Sequence, residues 1–259
     1  MKTVLDRIYS DYAMPSKLAE HEAVILAASA AGYAQLAVRD FLPTLSKVNA
    51  PTQRVLIHRH DIDTDLRTAR KLFELEKRHQ IRSSFYFRLS TLDFDLMDEI
   101  EAYGSEASYH YEELATFAKR NRLKQAAEVL GRLGDIKEEF VHNFLSIEKK
   151  LGRKMTTVAS HGDFANRRLN LYNTIILDDT SVRKRCGIVC EAYDAALMSH
   201  TDVYISDRPH PQYFFPVAPR QALGRHARIY LLTHPRQFET NWTENTKENL
   251  SRLYQSLAW

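Results

Sequence analysis

The segment Val55-Leu56-Ile57-His58-Arg59-His60-Asp61-Ile62-Asp63-Thr64-Asp65 constrains this chain more than any other. A β-branched and aliphatic run breaks into two histidines, an arginine and a D-x-D pair. Apolar residues then recur at three- and four-residue steps through Leu66, Ala69, Leu72, Phe73 and Leu75. This order predicts a buried parallel strand, a short loop and a helix. In α/β folds the carboxyl ends of strands collect functional groups, because the sheet edge holds loop side chains in fixed positions. A plainer reading is a helix cap, with Thr64 or Asp63 capping and Asp65 favouring the positive end of the dipole. Capping accounts for one acidic residue and leaves the rest of the cluster unexplained, so a site is the favoured reading. Asp61 and Asp63 are spaced to share a metal or to divide the work of base and ligand.

The rest of the chain alternates in the same way. Helices are predicted over 16–31 (capped by Ser16, stopped by Gly32), 64–79, 93–103, 112–119, 123–151 with a break near Gly131 or Gly134, and from about 243 onward. Strands are predicted over 33–38, 54–58, 83–88, 105–109, 156–159, 175–177, 203–206 and 229–232. Repeated strand-then-helix order predicts an α/β fold with a parallel sheet, open or closed into a barrel. No linker marks a boundary, so residues 1–259 are expected to form a single domain, with 1–50 as an N-terminal helix-and-strand extension packed on it.

Charge narrows the function classes. The net charge is only +3, and clusters such as Arg183-Lys184-Arg185 and Lys149-Lys150 are scattered, so no dense basic stripe argues for nucleic acid. Cys186 and Cys190 read as free thiols rather than a disulfide or a thiolate metal site. The stretch from Met1 to Arg7 has no apolar signal core, and no run of eighteen apolar residues occurs. The expectation is a cytoplasmic protein without a membrane span.

Four predicted strands end in a histidine or aspartate: His60-Asp61-Ile62-Asp63, His110, His161 and Asp207. A fifth ends at His234. Parallel strands deliver these ends to one rim, where the groups should converge. Imidazole with carboxylate suits zinc and related metals. His21, His79, His142, His200 and His226 read instead as hydrogen-bonded or surface rings.

On these residues the chain resembles the polysaccharide deacetylase superfamily (carbohydrate esterase family four), in its bacterial branch with an H-D-x-D opening motif. The matching segments are Arg59-His60-Asp61-Ile62-Asp63, the strand from Ile81 to Phe87, Glu106 to Glu112, Ser160-His161-Gly162 and Leu231-Leu232-Thr233-His234-Pro235, together covering about Gly32 to Pro235. The resemblance implies a distorted (β/α) barrel of about seven parallel strands and a metal-dependent amide or ester hydrolase. It makes Asp61 the general base, Asp63 and His110 metal ligands, and His234 the general acid. The family commonly has a second histidine four residues after the first; this chain has Leu114 there. His161 is taken as the third ligand in its place, with Glu112 as the rival. The family's Arg-Pro-Pro-Tyr segment is absent, and Ser160-His161-Gly162 occupies that place.

The remaining expectations follow from that chemistry. Asp207 is placed beside the site to fix a histidine tautomer, although a turn residue before Pro209 would look the same. Arg59 and Arg208 are candidates to bind an anionic substrate group. Tyr109 and Tyr111, flanking His110, are candidates to stack on a sugar, whereas Tyr86 and Phe87 read as core. Tyr213-Phe214-Phe215 is expected either over the site or against one barrel end. The leading reading is a divalent-metal hydrolase, zinc above other ions, that removes an N-acyl group, acetyl first, from an amino sugar. A sugar-nucleotide or lipid-linked intermediate of bacterial surface polysaccharide synthesis is the expected substrate. The competing reading is a carbohydrate-binding or scaffolding protein on the same fold, favoured by Leu114 and opposed by the presence of Asp61 and His234.

Overall fold

A computed structural model describes residues 4–45 and 53–259, so the extension expected over 1–50 is described only across 4–45. The strands are β1 Ala34–Leu36, β2 Val55–Ile62, β3 Ser84–Phe87, β4 Glu106–Tyr111, β5 Thr157–Ser160, β6 Cys190–Glu191, β7 Val203–Asp207, β8 Phe214–Phe215 and β9 Arg228–Thr233. They run in the order β6-β5-β4-β3-β2-β9-β7-β8, with β1 added beside β2. Strands β6 through β7 of this path are parallel, and β8 turns back antiparallel on β7. β1 pairs with the start of β2 at Ala34↔Val55, and β3 takes over further along at Arg59↔Ser84.

The path therefore holds eight strands where about seven were expected. β6 and β8 are two residues each, too short to show a periodicity. The strand expected over 175–177 is instead part of a 3-10 turn, Asn173–Asp178. A short apolar run such as Ile175-Ile176-Leu177 suits a buried turn as well as a strand, and periodicity does not separate them.

The helices are α1 Val4–Ile8, α2 Leu18–Ala30, α3 Val38–Leu45, α4 Leu66–Arg78, α5 Phe94–Tyr103, α6 Glu113–Arg120, α7 Ala126–Leu130, α8 Leu133–Leu151, α9 Phe164–Leu169, α10 Thr180–Cys186, α11 Ala195–Met198, α12 Pro219–Ala222 and α13 Trp242–Ala258. None among the described residues is long and apolar enough to cross a membrane. Helices α4 to α8 cover the outer face of the sheet in one large core that includes Leu72, Phe73, Phe140 and Phe144. Burying each such side chain is worth about 1.5–3 kcal/mol. The sheet curls into a half-barrel around its inner face. Tyr230 of β9 donates from its hydroxyl to the carbonyl of Ala192, just beyond β6, at 3.1 Å. Tyr86 of β3 meets Thr157 of β5 at 2.7 Å, so side chains from distant strands close the interior.

Strand β2 is buried along its whole length, and its alternation sorts the opening motif. Val55 and Ile57 point inward to the cluster with Tyr86 and Tyr230, which places Arg59 and Asp61 on the same inner face. Leu56 and Ile62 point outward to separate clusters, and His58 and His60 go with them. The cap also differs from expectation. Asp65, with φ 59°, caps α4 by accepting from the Thr68 amide, and Asn241 donates to the same oxygen at 2.7 Å. With Asp65 closing the helix, neither Thr64 nor Asp63 is needed there, and Asp63 is free to face the rim.

Candidate metal centre and catalytic site

Three side chains from three strand ends converge at the rim. Asp63 Oδ1 lies 3.2 Å from His110 Nε2 and 3.0 Å from His161 Nδ1, and the two ring nitrogens are 3.3 Å apart. Donors held about 2.0–2.1 Å from one tetrahedral ion stand about 3.3 Å from each other, so this near-equilateral triangle has the size of one face of such a site. Asp63 Oδ1 is buried without a partner of strict hydrogen-bond geometry among the described residues, although two imidazole nitrogens are close. An orphaned carboxylate oxygen of this kind calls for an explanation, and a shared cation supplies one.

The surrounding bonds set the ligand lone pairs. His110 Nδ1–H donates to the Ala159 carbonyl at 2.9 Å, which leaves Nε2 as a lone pair aimed at Asp63. A backbone partner on the far nitrogen is the usual support for a ligating imidazole. His161 is carried on the loop after β5, where its amide donates to the Tyr111 carbonyl at 2.8 Å. Its own carbonyl accepts from Asn173 Nδ2 at 2.6 Å. Burial works to raise the Asp63 carboxyl, but His161 and His110 outweigh it and hold Asp63 well below the ordinary carboxylate range. The donor set of one carboxylate and two imidazoles fits a borderline divalent ion. Glu112, the rival ligand, is clamped instead by Arg88 at 3.0 and 2.7 Å. Leu114 lies fully buried in the core under α6, away from the rim.

A second grouping of similar composition behaves differently. His21 of α2 and His60 of β2 each place Nε2 2.8 Å from Glu76 Oε1, and Ser83 donates to Glu76 Oε2. A separation of 2.8 Å is a hydrogen-bond distance and is short for two ligands of one ion. The outer histidines thus form a hydrogen-bonded network under the sheet. His58 bonds Gln35 at 2.8 Å, and burial drives it down to about 3, so it stays neutral. Neither His58 nor His60 of the opening motif reaches the rim.

Asp61 lies behind the triangle. Arg59 grips it with Nε and Nη2, each at 2.7 Å, and His110 Nε2 is 3.4 Å from its Oδ2. Burial favours the neutral acid, but Arg59 outweighs it and keeps Asp61 below its ordinary value, hence ionised. Arg59 is fully buried, with its guanidinium 4.4 Å over the Tyr193 ring. Its expected role as a substrate-binding group is therefore corrected: it pairs with Asp61, two residues further along the same strand. Tyr109 and Tyr111 are corrected as well. Both are fully buried on the outer side of β4 against Phe140, with no face open to a sugar.

His234 stands at the end of β9. Its Nδ1–H donates to Asp207 Oδ1 at 2.7 Å, and its amide donates to Asp207 Oδ2 at 2.6 Å, so β7 locks the ring at the end of β9. The Nε2 then faces the site, 4.0 Å from Asp63 Oδ2. Burial works against the imidazolium, yet Asp207 and then Asp63 prevail and push His234 up to about 10. Asp63, Asp207 and His234 line a pocket of about 950 Å³, with Arg208 at its edge. Tyr213 and Phe214 line a separate pocket of about 410 Å³ beside it, so that segment does not roof the site. Sequence reasoning missed Arg88, Asn173 and Glu76. Arg88 had a visible signal as a charged residue ending a strand, whereas Asn173 lies two residues before the segment read as a strand, at the start of the turn Asn173–Asp178.

The rim thus presents a three-donor triangle that could hold a metal ion, flanked by a buried carboxylate and a carboxylate-backed histidine. No family model matches the chain, and no curated relative does. Among solved structures it is similar to the Streptococcus pyogenes deacetylase PplD in complex with acetate, with a TM-score of 0.37 and 13% identity. That likeness covers 57% of this chain and 65% of the other, less than two thirds of its length.

Proposed function

We propose that this chain is a metal-dependent hydrolase that removes an N-acyl group, acetyl first, from an amino-sugar substrate. The observation that carries the reading is the Asp63–His110–His161 triangle with its orphaned oxygen, 4.0 Å from an imidazole that Asp207 holds protonated. A divalent ion there, zinc above others, would supply polarisation of the acyl oxygen and acidify a water. The chain's own residues do the proton work. Asp61, kept ionised by Arg59, accepts a proton from the attacking water. His234 gives its Nε2 proton to the departing nitrogen as the C–N bond breaks and a C–O bond replaces it. The products are a carboxylic acid and a free amine, and the proton on Asp61 returns the pair to its starting state through solvent. Arg59 and Asp207 act as positioning residues. The family resemblance supplies the amino-sugar substrate, as a sugar nucleotide or lipid-linked intermediate of bacterial surface polysaccharide synthesis. Both acid and base being held in working geometry supports catalysis over a binding-only role.

Metal analysis of purified protein tests the first half. One divalent ion per chain is expected in the wild type, loss in His110→Ala and His161→Ala, and retention in Glu112→Gln. Acetate release from N-acetylated nucleotide sugars tests the second half. A wild type that takes up no metal would refute the centre; metal uptake without acyl release from any N-acylated sugar would refute the hydrolase.

A further inference from the structure

Seven of the fifteen large apolar side chains exposed among the described residues lie on α1 and α13, helices of five and seventeen residues. They include Val4, Ile8, Leu250, Leu253 and Tyr254. Leu250, Leu253 and Tyr254 follow three- and four-residue steps and so share one helix face. The two helices are fastened side by side. Arg7 Nη2 donates to Asn249 Oδ1 at 2.9 Å, and Tyr12, just beyond α1, bonds Thr246 at 3.2 Å. Asn249 is one turn before Leu253, and Val4 and Leu253 both line the mouth of the pocket that contains Asp63 and His234. The apolar face is continuous with the entrance to the candidate site. Contiguous exposed apolar surface of this kind marks an interaction surface.

Charge selects the occupant. Three acids near this face are paired with cations, Glu244 with Lys247 at 3.0 Å, Glu248 with Arg252 and Asp11 with Arg236 at 2.7 Å, and Asp6 of α1 faces His210 at 3.7 Å. Arg167, Arg168 and Arg208 have no carboxylate partner among the described residues. Arg167 and Arg208 line the same mouth, and Arg168 lies 5.6 Å over Trp259 at the end of α13. Unpaired guanidinium groups of Arg167 and Arg208 thus stand beside an apolar lip at the mouth. A two-fold contact between copies through this face would set the arginines against their own images. A lipid layer offers apolar depth and anionic headgroups together.

We propose that the α1/α13 face docks on a lipid surface bearing anionic headgroups, with the mouth of the site opening onto it. The inference goes beyond the hydrolase reading and does not depend on it. Co-sedimentation of the full chain with phosphatidylglycerol–phosphatidylcholine vesicles, against phosphatidylcholine alone, is the test. Binding about tenfold stronger on the anionic vesicles is expected, weakening with salt. The double substitution Leu253→Glu, Tyr254→Glu should lower it about tenfold with an unchanged thermal melt and metal content. Val189→Glu, at an exposed apolar residue elsewhere, should leave it within about twofold. Should the double variant not fold, Val4→Glu and Arg167→Glu carry the same expectation. Wild-type protein that remains in the supernatant, or equal damage from Val189→Glu, overturns the proposal. A dimer in sedimentation velocity that Leu253→Glu dissolves, without vesicle binding, overturns it in favour of contact between copies.

Discussion

Replacing Asp207 by Asn separates the charge behind His234 from its shape. Burial alone drives an imidazole below its ordinary 6.5; Asp207 is the main group that instead pushes His234 up to about 10. Without that carboxylate, the opposing burial returns the ring toward its ordinary 6.5. A group titrating near 10 is about 99% protonated at pH 8, and one near 6.5 about 3%. A general acid must carry its proton when the leaving nitrogen departs. Asp207→Asn should therefore lose about thirtyfold more kcat/KM at pH 8 than at pH 5.5, where both forms keep the proton. A cation held by Asp63 would lower both titrations and move the window in which the two proteins differ to lower pH. The assay is the ratio of wild-type to variant kcat/KM from pH 5 to pH 9. A ratio that stays flat across that range would refute the assignment of His234 as the acid.

The same pair affects stability. A folded-state value raised above the unfolded one means a contribution fully present below about 6.5 and lost as pH rises through about 10, so Asp207→Asn should flatten melting temperature against pH in that window. Glu113, pushed up to about 7 by burial beside Tyr109, follows the same sign from a lower start. Its contribution is present below about 4.5 and lost as pH rises through about 7, and Glu113→Gln should make the melting curve shallower there; parallel curves would reject this. Arg59→Met strands Asp61 as a buried unpaired charge and should cost about 3–5 kcal/mol in urea unfolding, a loss below about 1 kcal/mol being inconsistent with the burial described. Tyr111→Phe removes a buried hydroxyl with no partner of strict hydrogen-bond geometry among the described residues, so it should cost under about 1 kcal/mol and leave KM unchanged. A large rise in KM would return Tyr111 to the substrate face.

Local patterning made much of the fold legible. The strand at Val55, the helices at 66–78 and 94–103, the break between Leu130 and Leu133 and the parallel order all follow from periodicity and capping near in sequence. The convergence of Asp63, His110, His161 and His234 was legible too, because parallel strands bring their carboxyl ends to one rim. What local patterning left open was direction and partnership. β2 is buried on both faces and reads as a continuous run, so nothing in it shows which alternate residues turn inward.

The sequence alone determined that an α/β chain would gather imidazoles and carboxylates at one edge, since strand propensity and residue order are properties of neighbours. Only the tertiary structure decided that His58 and His60 turn away to Gln35 and Glu76, and that Arg59 spends its charge on Asp61. It also decided that Arg88 withdraws Glu112 and leaves His161 to complete the triangle, and that Tyr109 and Tyr111 pack on Phe140. Those outcomes depend on groups brought together by strand pairing and sheet curl across tens to hundreds of residues, distances over which the period of a strand or a helix carries no information.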